Sequence, residues 1–232
     1  MWLDDLKTGD SWMGVWYALS HCGMCHALMR SGPCPVCGDL IDSSPRRVVV
    51  DGVERLITFA TQGAIAWSTY VLLRLMQREW ERPLAGQDWF GSVPPEKHPS
   101  QRLAIVILFW TLFEGLMDRF MDAGLADLPE AIRKDLLRRY GTIGSRLDRL
   151  YRLMWSTTFW DDLRDLGFGS EADHLKNVQE RRNDFVHGNP EAIDDGLVLA
   201  TVERLQTVQQ GWIAVYNLRC TLKSKKIPVW KE

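Results

Sequence analysis

Four of the five cysteines in this 232-residue chain stand as two Cys-x-x-Cys pairs near the amino terminus. Cys22 and Cys25 form the first pair, Cys34 and Cys37 form the second, and eight residues separate the pairs. Two intervening residues let both thiolates of one tight turn face a single ion, so two such turns complete a tetrahedral set of ligands. The spacing therefore predicts a metal site in a small module whose folding depends on the ion.

Zinc is the metal that this set of ligands favours. Four thiolates close its coordination sphere, so the expected role is structural, and the motif implies no catalysis. Three alternatives stay open: iron of the rubredoxin type, a redox-active cysteine pair, or His21 or His26 in place of one cysteine. The arrangement resembles a zinc ribbon of the rubredoxin-knuckle kind, which implies a surface for a protein or nucleic-acid partner.

The pattern of apolar residues changes near residue 57. Before it, short apolar runs with glycine and proline predict a β-rich module over 1–57, in which Asp51-Gly52 favours a hairpin turn. After it, apolar residues recur at helical spacing, which predicts an α-helical domain over 58–232. The fold class is therefore mainly α. The expected helices cover residues 58–81, 101–121, 128–140, 145–155, 171–187 and 193–222.

The composition, with 46% hydrophobic and 25% charged residues, is that of an ordinary globular protein. A net charge of -2 gives no overall attraction to nucleic acid, so phosphate contacts would need a local patch. Residues 133–152 contain seven basic side chains and two acidic ones. A phosphate-binding face and a solvated face of mixed ion pairs are both compatible with that segment.

The amino-terminal sequence lacks the basic start and apolar stretch of a signal peptide. The longest apolar run, residues 103–110, is too short for a membrane helix. We therefore expect a cytoplasmic protein without a membrane-spanning segment. In that reducing compartment, paired cysteines bind metal more readily than they form disulfides.

Residues 181–190 read Arg-Arg-Asn-Asp-Phe-Val-His-Gly-Asn-Pro and end a predicted helix. Asn183 and His187 lie one turn apart and share a face, whereas Arg182 lies about 140° around the helix from His187. Gly188 ends the helix, and the negative end of the helix dipole attracts a protonated imidazole there. An arginine fork binds phosphate oxygens and a histidine transfers protons near neutral pH, so the pattern suits chemistry at a phosphate.

These residues resemble the HEPN family (higher eukaryote and prokaryote nucleotide-binding domains), whose mark is often Arg-Asn-x-x-x-His. Arg182, Asn183 and His187 match that pattern position by position. Arg181 satisfies a looser form of it, so both arginines stay candidates. The resemblance implies an antiparallel helical bundle over residues 58–222.

Active members of the family are metal-independent endoribonucleases that bring the motifs of two protomers together. The ribose 2′-hydroxyl attacks the adjacent phosphate, while histidine transfers protons and arginine stabilises the developing charge. The resemblance thus implies a homodimer that cleaves RNA as a toxin or antiviral effector, with an antitoxin or a nucleotidyltransferase as a partner. Glu114 looks like the polar residue of an earlier helix that supports the motif, and we expect it to pair with Arg182. Asp118 is the second candidate for that role.

Two alternatives stay open: a non-catalytic protein that recruits a protein or nucleic acid, because some family members only bind, and a regulatory partner of a nucleotidyltransferase. No cofactor for catalysis is implied by the motif. Two histidines outside the motif, His98 and His174, are expected at the surface rather than in a catalytic site.

Overall fold

The structure, a computed structural model, describes residues 20–22, 25, 27–29, 34–37, 46–50, 53–57, 67–86 and 90–221. This part of the chain is mainly α-helical, which confirms the expected class, and it contains eight α-helices. None of those helices is both long and apolar enough to cross a membrane. The helices are α1 (Trp67–Glu81), α2 (Ala104–Gly124), α3 (Glu130–Arg139), α4 (Tyr151–Trp155), α5 (Phe159–Asp165), α6 (Gly169–Val186), α7 (Asp195–Glu203) and α8 (Leu205–Arg219).

Two short antiparallel strand pairs precede the helices. They are β1 (Ser20–His21) with β2 (Leu28–Met29), and β3 (Arg46–Val50) with β4 (Val53–Ile57). Val50 pairs with Val53, so residues 51 and 52 connect the second pair. That connection, residues 58–66 and most of the expected module over 1–57 lie outside the described residues. A complete metal ribbon therefore stays a prediction.

Helix α2 is the centre of the helical body. Its apolar residues recur three and four positions apart, and ten of them are buried against the surrounding helices, which include α1, α6 and α7. Phe120 is stacked on Tyr151, with ring centroids 5.8 Å apart, and makes edge contacts with Phe159 and Tyr216. Such aromatic contacts add to the stabilisation from burial. This aromatic cluster joins α2, α4, α5 and α8.

Besides shifts of a few residues at helix ends, the helices differ from the sequence prediction in three places. The helix expected over 145–155 begins as a π-helical turn, Ser145–Leu150, before α4. The helix expected over 193–222 is interrupted at Arg204 (φ -93°, ψ 0°) and forms α7 and α8. Helix α5 was not expected, although Thr158 caps it by accepting a 3.1 Å hydrogen bond from the backbone N–H of Asp161. The apolar spacing did not reveal the changes within the first two of these helices, because both pieces of each helix face the same core.

His174 is buried in α6, with 7% of its surface exposed, so the expectation of a surface position was wrong. Burial, and then the positive charge of Arg204, lower the pKa of His174 to about 4, while Glu171 acts in the opposite direction. Helix α6, which carries His174, packs against α5, α7 and α8. The tertiary packing decided this burial, which the polar neighbourhood in the sequence did not indicate.

A buried ion pair joins α5 to the end of α8. Asp162 is 3% exposed and accepts two hydrogen bonds from Arg219, one from Nε and one from Nη2, each 2.6 Å long. The Tyr151 hydroxyl also donates to Asp162. The hydrogen bonds that Arg219 donates to Asp162 raise the pKa of Arg219, and burial raises the pKa of Tyr151 far above its usual range. The carboxylate is thus satisfied by donors from two helices.

Two glycines of α2 have opposite surroundings. A Cβ atom on Gly124 would lie 2.7 Å from Met154 Cε and 2.8 Å from a ring carbon of Trp155, whereas one on Gly115 would meet nothing within 4 Å. We expect Gly124→Ala to lower the free energy of unfolding by about 1–3 kcal/mol through overpacking. We expect Gly115→Ala to raise it by up to about 1 kcal/mol through helix propensity. Urea denaturation of both variants tests this, and effects of the same sign would contradict the packing described.

Replacing Arg219 by methionine leaves the Asp162 carboxylate buried without its cation. We expect the free energy of unfolding to fall by about 3 kcal/mol, since breaking a buried pair costs about 3–5 kcal/mol. The matched control is Arg164→Met, because Arg164 is 40% exposed and pairs with Asp173, which is 71% exposed. That variant should lose less than about 1 kcal/mol. Equal losses in chemical denaturation would show that the Arg219 pair contributes no more than a surface pair.

Candidate metal centre and candidate nuclease site

The side chains of the four paired cysteines converge on one point. The Sγ atoms of Cys22, Cys25, Cys34 and Cys37 all lie within 4.8 Å of one another. The Cys22–Cys37 distance is 3.7 Å and the Cys25–Cys34 distance is 3.5 Å. A disulfide would need about 2.05 Å, whereas thiolates around a tetrahedral ion with bonds of about 2.3 Å lie about 3.8 Å apart. The cluster is therefore positioned to bind a metal ion.

The backbone shapes both turns of the cluster. In the first turn, the N–H of Cys22 donates to the carbonyl of Ala27 at 2.8 Å. In the second turn, the N–H of Val36 donates to Cys34 Sγ at 3.4 Å. Burial opposes ionisation of Cys34, but hydrogen bonds from the backbone of Cys37 and Val36 lower its pKa to about 7. These amides stabilise a thiolate, the form that binds metal.

Burial distinguishes the four ligands. Cys22, Cys25 and Cys34 are buried, and Cys37 is exposed. Burial also raises the pKa of Cys25 above its usual range. A bound cation would offset that penalty, because a coordinating thiol is deprotonated by the ion's charge. Four sulfur ligands leave no coordination position for water, so the donor set fits a structural ion better than a catalytic one. His26 lies outside the described residues.

The motif of the candidate nuclease lies at the carboxyl end of α6. The helix ends at Val186, and the backbone N–H of His187 donates to the carbonyl of Asn183 at 2.9 Å. Gly188 follows with a φ of 105°, a conformation that glycine adopts without strain. His187 is exposed. Its imidazole is thus accessible to a substrate at the end of the helix.

Arg182 and Asn183 contact each other directly. Nη1 of Arg182 donates to Oδ1 of Asn183 over 3.1 Å, and the arginine is half-buried. The Nε atom of Arg182 is buried and has no hydrogen-bond partner among the described residues. A buried donor without a partner is uncommon in proteins, so contacts within the described part of the chain do not saturate this guanidinium.

Arg181 is used differently from its neighbour. Its guanidinium donates to the carbonyl of Ala192 and to the carboxylate of Asp194. Asp194 in turn caps α7 by accepting a 2.8 Å hydrogen bond from the N–H of Leu197. Arg181 therefore stabilises the connection between α6 and α7. Of the two arginines that fit the motif, Arg182 is the one with a buried donor that has no partner among the described residues.

The expected ion pair between Glu114 and Arg182 is not among the contacts of the described residues. Glu114 instead accepts a 2.8 Å hydrogen bond from Nε1 of Trp110, one turn earlier on α2. Burial lowers the pKa of Arg146, and the negative charge of Glu114 opposes that shift. Asp118, the second candidate, pairs with Arg146. The π-helical turn places Arg146 beside Asp118. The sequence did not indicate this pair, because Arg146 is one of many basic residues in that segment.

The basic segment over residues 133–152 is largely neutralised. Five of its seven basic side chains form ion pairs with acidic neighbours. Only Arg149 and Arg152 have no ion pair with another described residue, and both are exposed. The structure thus favours a solvated face of mixed pairs over an extended phosphate-binding face. The pairs are Arg133–Asp122, Lys134–Glu130, Arg138–Asp135, Arg139–Asp135 and Arg146–Asp118.

No protein-family model, curated protein or solved structure matches this chain. The family resemblance therefore rests on the short motif of α6 and on the mainly helical architecture. The metal cluster rests on its own geometry.

We expect the purified protein to contain about one metal ion per chain, because four thiolates form one closed site. Cys34→Ser should remove most of that metal and destabilise the module. Cys220→Ser is the matched control, since Cys220 is equally buried but lies outside the cluster. Elemental analysis by mass spectrometry measures both variants. A Cys34→Ser protein with the metal content of the unmodified chain would contradict a four-thiolate site.

Proposed function

We propose that this chain is a metal-independent endoribonuclease of the HEPN type. The observation that supports the proposal most is the buried Nε of Arg182, which has no partner in the described part of the chain and lies beside Asn183, one turn before the exposed His187. An arginine with an unused donor binds a phosphate oxygen, and an accessible imidazole transfers protons. These are the two groups that cleavage of RNA without a metal requires.

The proposed reaction is transesterification followed by release. The 2′-oxygen forms a bond to the adjacent phosphorus, and the bond from phosphorus to the 5′-oxygen breaks. His187 donates a proton to the leaving 5′-oxygen, and a second base, His187 of the other copy, accepts the 2′-hydroxyl proton. In the transition state the phosphorus has five oxygen neighbours, and Arg182 stabilises the negative charge on its non-bridging oxygens. The products carry a 2′,3′-cyclic phosphate and a 5′-hydroxyl.

We further propose that two copies of the chain form the site. Arg182 and His187 lie about 140° apart around α6, so one helix does not aim both groups at one phosphate. Val186, next to the histidine, is 57% exposed. An exposed apolar residue beside the motif would become buried in a contact between the two copies.

For the cysteine cluster we propose zinc, within a ribbon that takes no part in the chemistry. Zinc is redox-inert and favours tetrahedral thiolate sites, and a reducing cytoplasm keeps the cysteines from forming disulfides. The family resemblance extends the proposal to a toxin or antiviral effector. An antitoxin or a nucleotidyltransferase would then be its partner.

A second candidate is a non-catalytic protein that binds nucleic acid or protein. One observation favours it: Glu114 contacts Trp110, and no ion pair between Glu114 and Arg182 is present among the described residues. In this case Arg182 would still bind a phosphate, but no proton transfer would follow.

Incubation with mixed RNA in excess chelator tests the nuclease, with metal content measured afterwards to show that the cysteine site is retained. We expect cleavage to products with 2′,3′-cyclic phosphate ends. His187→Ala and Arg182→Ala should each slow it by about 100-fold or more, the typical contribution of one proton-transfer group or one charge-stabilising donor. Arg149→Ala is the control, because it removes an exposed, unpaired positive charge outside the motif.

Intact RNA, or cleavage by His187→Ala at the unmodified rate, would sink the nuclease proposal. Intact RNA that binds in a gel-shift assay, with binding lost in Arg182→Ala, would support the second candidate instead.

A further inference from the structure

The first cysteine turn is attached to the helical body through Leu28 and Asn217. The backbone N–H of Leu28 donates to Oδ1 of Asn217 at 2.6 Å, and Nδ2 of Asn217 donates to the carbonyl of Leu28 at 2.8 Å. Leu28 lies in β2, Asn217 lies in the last turn of α8, and 189 positions separate them in the chain. One side chain thus satisfies both backbone groups of one strand residue.

The hairpin geometry explains why an amide is needed at this place. The N–H of Cys22 bonds to the carbonyl of Ala27, and the next pair in the register is His21 with Leu28. Hydrogen-bonded and non-bonded pairs alternate in antiparallel strands, so the backbone groups of Leu28 point away from β1. Buried without partners, they would cost free energy. The Asn217 amide supplies one acceptor and one donor, as another strand would.

The Leu28 side chain strengthens the same attachment. It is 1% exposed and belongs to the hydrophobic core of the helical body. It also lines a cleft of about 550 Å³, which Trp212 and Tyr216 of α8 line as well. Ala27, between the metal turn and Leu28, is fully buried. The hairpin is therefore packed against α8 as part of the core rather than tethered to it.

Cys22 and Cys25 lie in the connection between β1 and β2, so the position of two thiolates depends on where α8 holds β2. We propose that Asn217 is a positioning residue of the metal centre, through which metal binding and the packing of α8 stabilise each other. The coupling is reciprocal by thermodynamic linkage. An ion that orders the turn strengthens the contact of Leu28 with Asn217, and loss of that contact weakens retention of the ion.

The end of α8 passes this coupling to the helical core. Arg219, two residues after Asn217, forms the buried pair with Asp162. Removal of the metal should therefore loosen the last turn of α8, although no residue of that helix is a ligand. This inference rests on the zinc proposed for the cysteine cluster and is independent of the nuclease proposal, because it concerns that cluster and α8 alone.

The first test measures how fast zinc passes from the protein to a chromogenic chelator. Asn217→Leu removes both hydrogen bonds with little change in side-chain size. We expect transfer about tenfold faster than from the unmodified chain, the effect of losing one to two net hydrogen bonds. Asn177→Leu is the matched control, because Asn177 is exposed on α6, and its transfer rate should not change. An unchanged rate in Asn217→Leu would overturn the proposal.

The second test needs no substitution. Amide hydrogen exchange, followed by mass spectrometry, compares the zinc-loaded and zinc-free protein. We expect residues 212–219 to lose protection on zinc removal, while the middle of α6 keeps its protection as an internal control. Equal protection of α8 in both forms would overturn the coupling.

A variant that keeps half of the contact covers the case in which Asn217→Leu does not fold. Asn217→Asp retains the acceptor for the N–H of Leu28 and loses the donor to its carbonyl. We expect this variant to transfer zinc faster than the unmodified chain does. An unchanged transfer rate would contradict the role of the amide. Circular dichroism of each variant checks that the helical body is intact.

Discussion

The two hydrogen bonds from Arg219 to Asp162 join the last turn of α8 to α5, and another contact of that turn reaches the cysteine cluster. A buried carboxylate without its cation is strongly unfavourable, so the pair keeps the last turn of α8 against α5. Asn217, two residues earlier, lies about 200° away around the same turn and reaches the opposite side. There it binds both backbone groups of Leu28. One helical turn thus connects the packing of the core to the cysteine cluster.

The metal centre and the candidate nuclease site share no residue. The cysteines are joined to the body through α8, whereas the motif lies at the end of α6. Within that motif, two adjacent arginines lie about 100° apart and so have different surroundings. Arg181 faces the connection to α7 and binds it, while Arg182 keeps an unpartnered Nε. A structural arginine next to an available one explains why spacing alone does not choose between them.

Several features of the fold and the candidate sites follow from short stretches of sequence. The spacing of the cysteines predicts a cluster because two residues between thiolates fit one turn around an ion. Gly188 marks the end of α6 because glycine readily adopts its φ of 105°. The apolar spacing of α2 predicts its buried face, though its ends differ by a few residues. Other features were not predictable: the burial of His174 and the pairing of Asp118 with Arg146 depend on elements that are separate in the sequence.

The sequence by itself determined the mainly helical class, the ligand spacing and the residues of the motif. These depend on contacts within a few positions, and local stereochemistry governs such contacts. Only the tertiary structure decided that Asp118 pairs with Arg146 rather than with Arg182, and that Asn217 satisfies the edge of the cysteine hairpin. A polar side chain binds whichever group packing brings within about 3 Å, and that group can lie anywhere along the chain. Residue type shows what a side chain can bind, and packing selects its partner.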